Sequence, residues 1–246
     1  MRQQTALKKS DYRRCCFAKL FHHLVKILSS YTHMILQSSS SIGFCGSRSI
    51  QSTASPLISM VAHSVLSSSD ARLAVGCSTG VDRYVIEAIP KSALSRVSIF
   101  AAFGPDGAGS CNLSAVSTVV RAVGGGASVR WWSGGSALVP IRQRLALRSV
   151  ALAQHLAASS PSTLICFLSS PESGGSILAC RRAAQLGVPV MVICIGFLPA
   201  QLPRLRKRGS WIQAQIGGFP AVVWREPKDQ PHPQLQIDFE YSPYFS

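Results

Sequence analysis

Acidic side chains are scarce in this sequence: 10 Asp and Glu stand against 25 Lys and Arg, for a formal net charge of +15. The first 69 residues hold a single acid, Asp11. Such a surplus favours anionic partners: nucleotides, nucleic acid or an anionic membrane surface. Charge of both signs makes up only 14% of the chain and apolar residues 47%, which excludes a disordered chain and allows a sizeable core. No apolar run is long enough for a transmembrane helix; the richest, Val188 to Leu198, reads as a buried strand. Cysteines stand at positions 15, 16, 45, 77, 111, 166, 180 and 194, and no CxxC pair is matched by a second pair or by histidines at zinc spacing. Neither a disulfide framework nor a metal site is expected, and a reducing compartment, the cytoplasm, follows. Cys45, Cys166 and Cys194 lie in apolar runs, where free cysteine acts as a small hydrophobe.

Several signatures are missing as well. There is no strict GxGxxG followed by an acid on the next strand and no GxxxxGK[ST], which disfavours a standard NAD domain and a P-loop NTPase. There is no GxSxG elbow, and His22, His23, His33, His63, His155 and His232 are not placed to form a hydrolytic triad or a metal site.

Residues 1–39 form a basic N-terminal extension. Arg2, Lys8, Lys9, Arg13, Arg14, Lys19 and Lys26 accompany Phe17, Leu20, Phe21, Leu24, Val25 and Leu28 at helical spacing. A transit segment, a membrane-surface helix and an extension without function, with Met34 as the true start, all fit this pattern. A transit segment would make the location organellar.

From Ile42 onward, short apolar runs alternate with helical patterns. Strands are expected at 42–45, 73–75, 97–103, 129–132, 164–168 and 188–195, and helices at 57–66, 81–88, 113–123, 140–158 and 176–186. The strands are nearly continuous in Val, Ile, Leu, Phe and Cys, as strands buried on both faces are. The fold class is α/β: a Rossmann-like, doubly wound, mostly parallel sheet of about six strands. It is expected over residues 40–198. Residues 199–246 add a basic segment, a small β-hairpin (211–216 and 219–224 around Gly217-Gly218) and a Pro-rich tail.

Gly- and Ser-rich loops follow the strands, where an open parallel sheet binds its ligands. In Gly46-Ser47-Arg48, Ser47 can donate to a phosphate oxygen and Arg48 can grip it with two N–H groups, or the segment is only a tight turn. In Gly76-Cys77-Ser78-Thr79-Gly80-Val81-Asp82, Ser78 and Thr79 read as helix caps or as part of an anion site. Asp82 complements the helix dipole, fixes the loop or holds a ribose hydroxyl. Gly134 and Gly135 form a third candidate loop, followed by Arg142, Arg144 and Arg148, which read as a solvated helix face. Of Trp131 and Trp132, one is expected in the core and the other free to stack on a base. The fourth loop, ending Ser173-Gly174-Gly175-Ser176, is the strongest signal, a nest of backbone N–H groups before a helix. Arg142, Arg204, Arg206, Lys207 and Arg208 are candidate nucleic-acid contacts.

Three segments in order, Ile42-Gly-Phe-Cys-Gly-Ser-Arg48, Val75-Gly-Cys-Ser-Thr-Gly-Val-Asp82 and Ser173-Gly-Gly-Ser-Ile-Leu-Ala-Cys-Arg-Arg-Ala-Ala-Gln-Leu-Gly187, resemble the SLOG superfamily over about residues 41–196. That superfamily groups DprA/Smf-like and LOG-like Rossmannoid proteins, and the last segment is nearer the DprA side. The resemblance implies a nucleotide, a nucleotide-derived signal or nucleic-acid phosphate in the cleft. DprA proteins bind single-stranded DNA, so Arg48 and the loops at 76–82 and 173–176 would hold backbone phosphates. LOG enzymes hydrolyse the N-glycosidic bond of nucleotides with a PGGxGTxxE motif. Pro171 and Gly174-Gly175 match it, but Cys180 and Arg181 stand where the glutamate belongs. The reading is therefore a non-enzymatic binder of nucleotide or single-stranded DNA phosphate that needs no cofactor. A sensor of a small nucleotide-derived ligand and a LOG-like hydrolase are the alternatives. A homodimer stays open.

Overall fold

The computed structural model describes residues 36, 38–68, 70–110 and 112–227. The transit, membrane-helix and start-site readings of residues 1–35, together with Cys15, Cys16, Cys111 and the Pro-rich tail after residue 227, lie outside the described residues. Eight strands form one mixed, mostly parallel sheet: β1 (Ser41–Gly46), β2 (Arg72–Val75), β3 (Val97–Phe100), β4 (Ser128–Arg130), β5 (Ser162–Leu168), β6 (Val190–Cys194), β7 (Ser210–Ile216) and β8 (Phe219–Arg225). Their order across the sheet is β4-β3-β2-β1-β5-β6-β8-β7. β1 to β6 pair in parallel, and β8 joins β6 antiparallel through Met191↔Val223 and Val192↔Val222. The β7–β8 hairpin read from the sequence is present, and it extends the main sheet.

Five α-helices connect the strands: α1 (Ser55–Ser68), α2 (Val81–Ala88), α3 (Leu113–Gly124), α4 (Ile141–Ala158) and α5 (Gly174–Gln185). Alternation along each strand sorts side chains between two cores. Ile42, Phe44, Ile165 and Phe167 face α1, α2 and α3, which contribute Ile58, Val61, Val85 and Val119. Cys45, Leu164, Cys166 and Leu168 face α4 and α5, which contribute Leu152, Leu156, Ile177 and Cys180. The chain winds outward from β1 to β4 with helices on the first face. It then crosses by α4 to the second face, and β5 pairs with the free side of β1. The winding therefore reverses between β1 and β5, and a crevice opens beyond their carboxyl ends.

Leu36 is buried in the first core, and Ser39 Oγ bonds Thr163 Oγ1 at 2.9 Å. Packing on the domain thus begins before residue 40. Among the described residues, no helix is long and apolar enough to cross a membrane.

Leu156 is fully buried in the second core, against the space beside Gly43 on β1. Leu156→Ala should lower the free energy of unfolding by about 2–5 kcal/mol in urea titrations, with the midpoint shifting and the slope unchanged.

Candidate functional site

The crevice at the reversal point is a cleft of about 650 Å³, and it gathers residues from four elements. The turn after β1 supplies Gly46, Ser47 and Arg48; α2 supplies Asp82; α4 supplies Arg142 and Arg148; and the start of α5 supplies Ser173, Gly174, Gly175 and Ser176. Ser47 ties the two central loops together. Its N–H donates to the Phe167 carbonyl at 3.0 Å, its Oγ accepts from the Ser169 N–H at 3.0 Å, and the same Oγ bonds Ser173 Oγ at 2.7 Å. With its side chain engaged this way, Ser47 fixes the width of the crevice instead of presenting a free hydroxyl.

The helix α5 starts at Gly174, two residues earlier than its pattern suggests, so the glycine pair forms its first turn. Ser173 stands at the cap position without a side-chain cap bond. The first N–H groups of any α-helix lack carbonyls within the helix and carry its positive end. Nothing lies within 4 Å of where a Cβ would stand on Gly174 or Gly175. The helix end is therefore open on the cleft side.

Beneath the cleft, Arg148 and Asp82 form an ion pair at 3.0 Å with side chains 7% and 3% exposed. Arg148 also donates to Ser78 Oγ at 3.0 Å, and the Ser78 N–H donates to Asp82 Oδ2 at 3.0 Å. Burial pushes the Asp82 carboxyl upward, against the pull of Arg148. Burial would lower Arg148, but the Asp82 carboxylate beside it raises it. The guanidinium lies so close over Gly76 that a Cβ there would overlap Arg148 Nη1 and Asp82 Oδ2. Gly80 has φ +73° and backs onto the Ser47 and Arg48 carbonyls, a place and a conformation that exclude a larger residue.

This arrangement corrects part of the sequence reading. Ser78 and Thr79 do not cap α2: Gly80 stands at the cap with no side-chain bond, and Ser78 is buried against Arg148 and Asp82. Asp82 does fix the loop. Of the 76–82 loop only Asp82 lines the cleft; Gly76, Ser78, Thr79 and Gly80 stand outside its lining. Arg144 and Arg148 are not on a solvated face. Arg144 is 4% exposed, donates to the Ala102 carbonyl at 2.9 Å and the Gly109 carbonyl at 2.7 Å, and stacks on Trp132 with its Cζ 5.1 Å from the ring centre. Trp132 stands in a turn with φ +54° under the Arg144 guanidinium, and Trp131 packs on Phe103 at 6.0 Å; both are half-buried and neither lines the cleft. Gly134 is buried against the Arg144 backbone and Gly135 packs on Val139, so the third loop is outside the cleft. Arg206 is paired with Glu226 at 2.8 Å, while Arg204, Lys207 and Arg208 are exposed, all outside the cleft lining.

The buried arginines were legible in principle. Residues 144, 148, 152 and 156 recur every fourth position, so Arg144 and Arg148 share the inward stripe of Leu152 and Leu156. A second hollow, of about 420 Å³ between β6 and the hairpin, is lined by Val192, Phe197, Ala221 and Val222 among others, with no charged residue. A third, of about 570 Å³, is lined by Asp70, Arg72 and His155 among others, away from the glycine loops.

No family model matches the chain, and no curated protein does. Among solved structures, the chain is similar to DNA processing protein A (DprA) from Streptococcus pneumoniae, with a TM-score of 0.47 and 16% identity. The similarity covers 68% of this chain and 54% of that one, so the chain spans about half the length of that protein.

Removing one partner of the buried pair leaves the other charge uncompensated. Arg148→Leu should destabilise the fold by about 3–5 kcal/mol in urea titrations, and the double variant Arg148→Met with Asp82→Leu should recover at least half of that loss. A double variant less stable than Arg148→Leu would show that the pair does not couple the two elements.

Proposed function

We propose that this protein is a binding module for phosphate groups, taking a nucleotide or the backbone of a single-stranded nucleic acid into the crevice between β1 and β5. The observation that carries this reading is a pair of exposed cations, without partners in the protein, that line the same cleft as an open helix start. Arg48 and Arg142 both line the cleft, both are exposed, and neither makes a hydrogen bond or ion pair among the described residues. Arg142 stands in the first turn of α4, where the helix dipole disfavours a cation and no acid accompanies it. A phosphate bridging Arg48, Arg142 and the N–H groups of Gly174 and Gly175 satisfies all of these groups together.

Asp82 does not help to choose among nucleotides: its Oδ1 has no partner, but it is closed to solvent beneath the cleft. The sequence resemblance to the SLOG superfamily points to the same class of ligand. Hydrolysis in the LOG manner has less support: Cys180 and Arg181 occupy the glutamate's place, Glu172 does not line the cleft, and the one carboxylate lining it, Asp82, is held by Arg148.

Fluorescence anisotropy with a labelled single-stranded oligonucleotide and with a labelled ribonucleoside monophosphate, each at several salt concentrations, tests the proposal. Binding of either probe should weaken by about 1.5–3 kcal/mol, roughly tenfold to a hundredfold, in Arg48→Ala. A steep fall of oligonucleotide affinity with salt marks a phosphate track, whereas tight mononucleotide binding with little oligonucleotide binding marks the small ligand. Absence of binding by both probes at low salt overturns the proposal.

Gly175→Val is the sharper variant. A Cβ at this position meets nothing within 4 Å, so the fold should keep its thermal midpoint within a few degrees, while the bulk at the helix start should abolish binding. Normal binding by a folded Gly175→Val protein contradicts the site.

A further inference from the structure

Three thiols far apart in the sequence converge below the cleft. Cys45 is the penultimate residue of β1, Cys166 is its register partner on β5, and Cys180 lies on the inward stripe of α5. The two strand cysteines alternate with Phe44 and Phe167, which point to the opposite core, so both sulfurs face α5. All three Sγ atoms lie within 4.8 Å of one another, and all three residues are buried and free of disulfides. A cation with sulfur ligands at about 2.3 Å holds them about 4 Å apart, so the trio needs only small movements to close on one ion.

We propose that Cys45, Cys166 and Cys180 form a three-sulfur site for a single soft, thiophilic cation, with Cu(I) the best fit. Thiolate sets select Cu(I) and Zn(II) among biological cations. Structural zinc takes four ligands, and among the described residues no histidine, carboxylate or fourth cysteine completes this group. Cu(I) is satisfied by three sulfurs. Each thiol that becomes a ligand releases one proton to solvent. Cys45 also lines the cleft, which gives an ion a way in.

The test uses the full chain with Cys15, Cys16, Cys111 and Cys194 changed to serine. This leaves the trio and Cys77, whose sulfur accepts the Ala102 N–H at 3.2 Å outside the cluster. Anaerobic titration with Cu(I) against a competing Cu(I) chelator should give one ion per chain, and X-ray absorption of the loaded protein should show three sulfurs at about 2.3 Å. Cys180→Ser in the same background should weaken Cu(I) binding by about a hundredfold, as loss of one of three ligands requires. A parallel Zn(II) titration should give at least about tenfold weaker binding. No uptake of Cu(I), fewer than three sulfurs around it, or unchanged affinity in Cys180→Ser overturns the site; tighter Zn(II) than Cu(I) overturns the choice of ion. The sulfur count needs no trio variant, so a Cys180→Ser protein that failed to fold would leave the test intact.

Discussion

The buried pair of Arg148 and Asp82 joins two halves of the molecule that the chain order keeps apart. Asp82 opens α2 on the first face of the sheet, and Arg148 reaches it from α4 on the second, at the carboxyl edge where the winding reverses. Two charges out of water are costly unless their remaining hydrogen-bonding groups are engaged. Here Ser78 engages both partners, through its N–H to Asp82 and its hydroxyl from Arg148, while Asp82 Oδ1 and Arg148 Nε stay buried without partners. Gly76 leaves room for the guanidinium, and Gly80 lets the loop back onto the Ser47 and Arg48 carbonyls. Ser47 is then free to bridge to Ser169 and Ser173 and so to set the start of α5. The shape of the cleft follows from that chain of contacts.

This view separates two kinds of polar residue at the same edge. Arg144 and Arg148 have every reason to be called structural: they are buried, bonded and packed on glycine or tryptophan. Arg48 and Arg142 have no such partners, and they line the same cleft as the start of α5. In a chain with 10 acids and 25 Lys and Arg, most cations cannot be paired internally, and a cleft lined by two of them and by a helix start is where an anion gains most. Catalysis asks for more than this, because a reacting group needs a free acid, base or nucleophile at the same spot.

Much of the fold was legible because burial on both faces writes itself as apolar runs. The runs at 164–168 and 188–195 read as strands, close to the observed Ser162–Leu168 and Val190–Cys194, and the Gly217-Gly218 turn marked the hairpin. What sequence could not show was where that hairpin would go, because pairing of Met191 with Val223 is a tertiary choice. The lining of the cleft was legible at Ser47, Arg48 and Ser173 to Ser176, where strand ends and small residues coincide. It was obscured wherever a polar residue turned inward. The charge of Arg148 suggested water although its spacing matched Leu152 and Leu156, and Trp132 suggested a strand although its backbone is left-handed. Gly174 and Gly175 suggested a loop because glycine is a poor helix former, yet as a first turn they leave the helix end uncovered. The convergence of Cys45, Cys166 and Cys180 has no local signal, since strand register and helix phase together produce it.

The central claim is that the N-terminus of α5 receives an anion, and amide chemical shifts read that location residue by residue. A nitrogen-15 labelled protein titrated with a ribonucleoside monophosphate should show its largest amide shifts at Gly174, Gly175 and Ser176, with smaller ones at Ser47 and Arg48, all saturating with one affinity. Shifts that leave Gly174 to Ser176 unmoved while other surfaces respond, or that never saturate, would contradict the account.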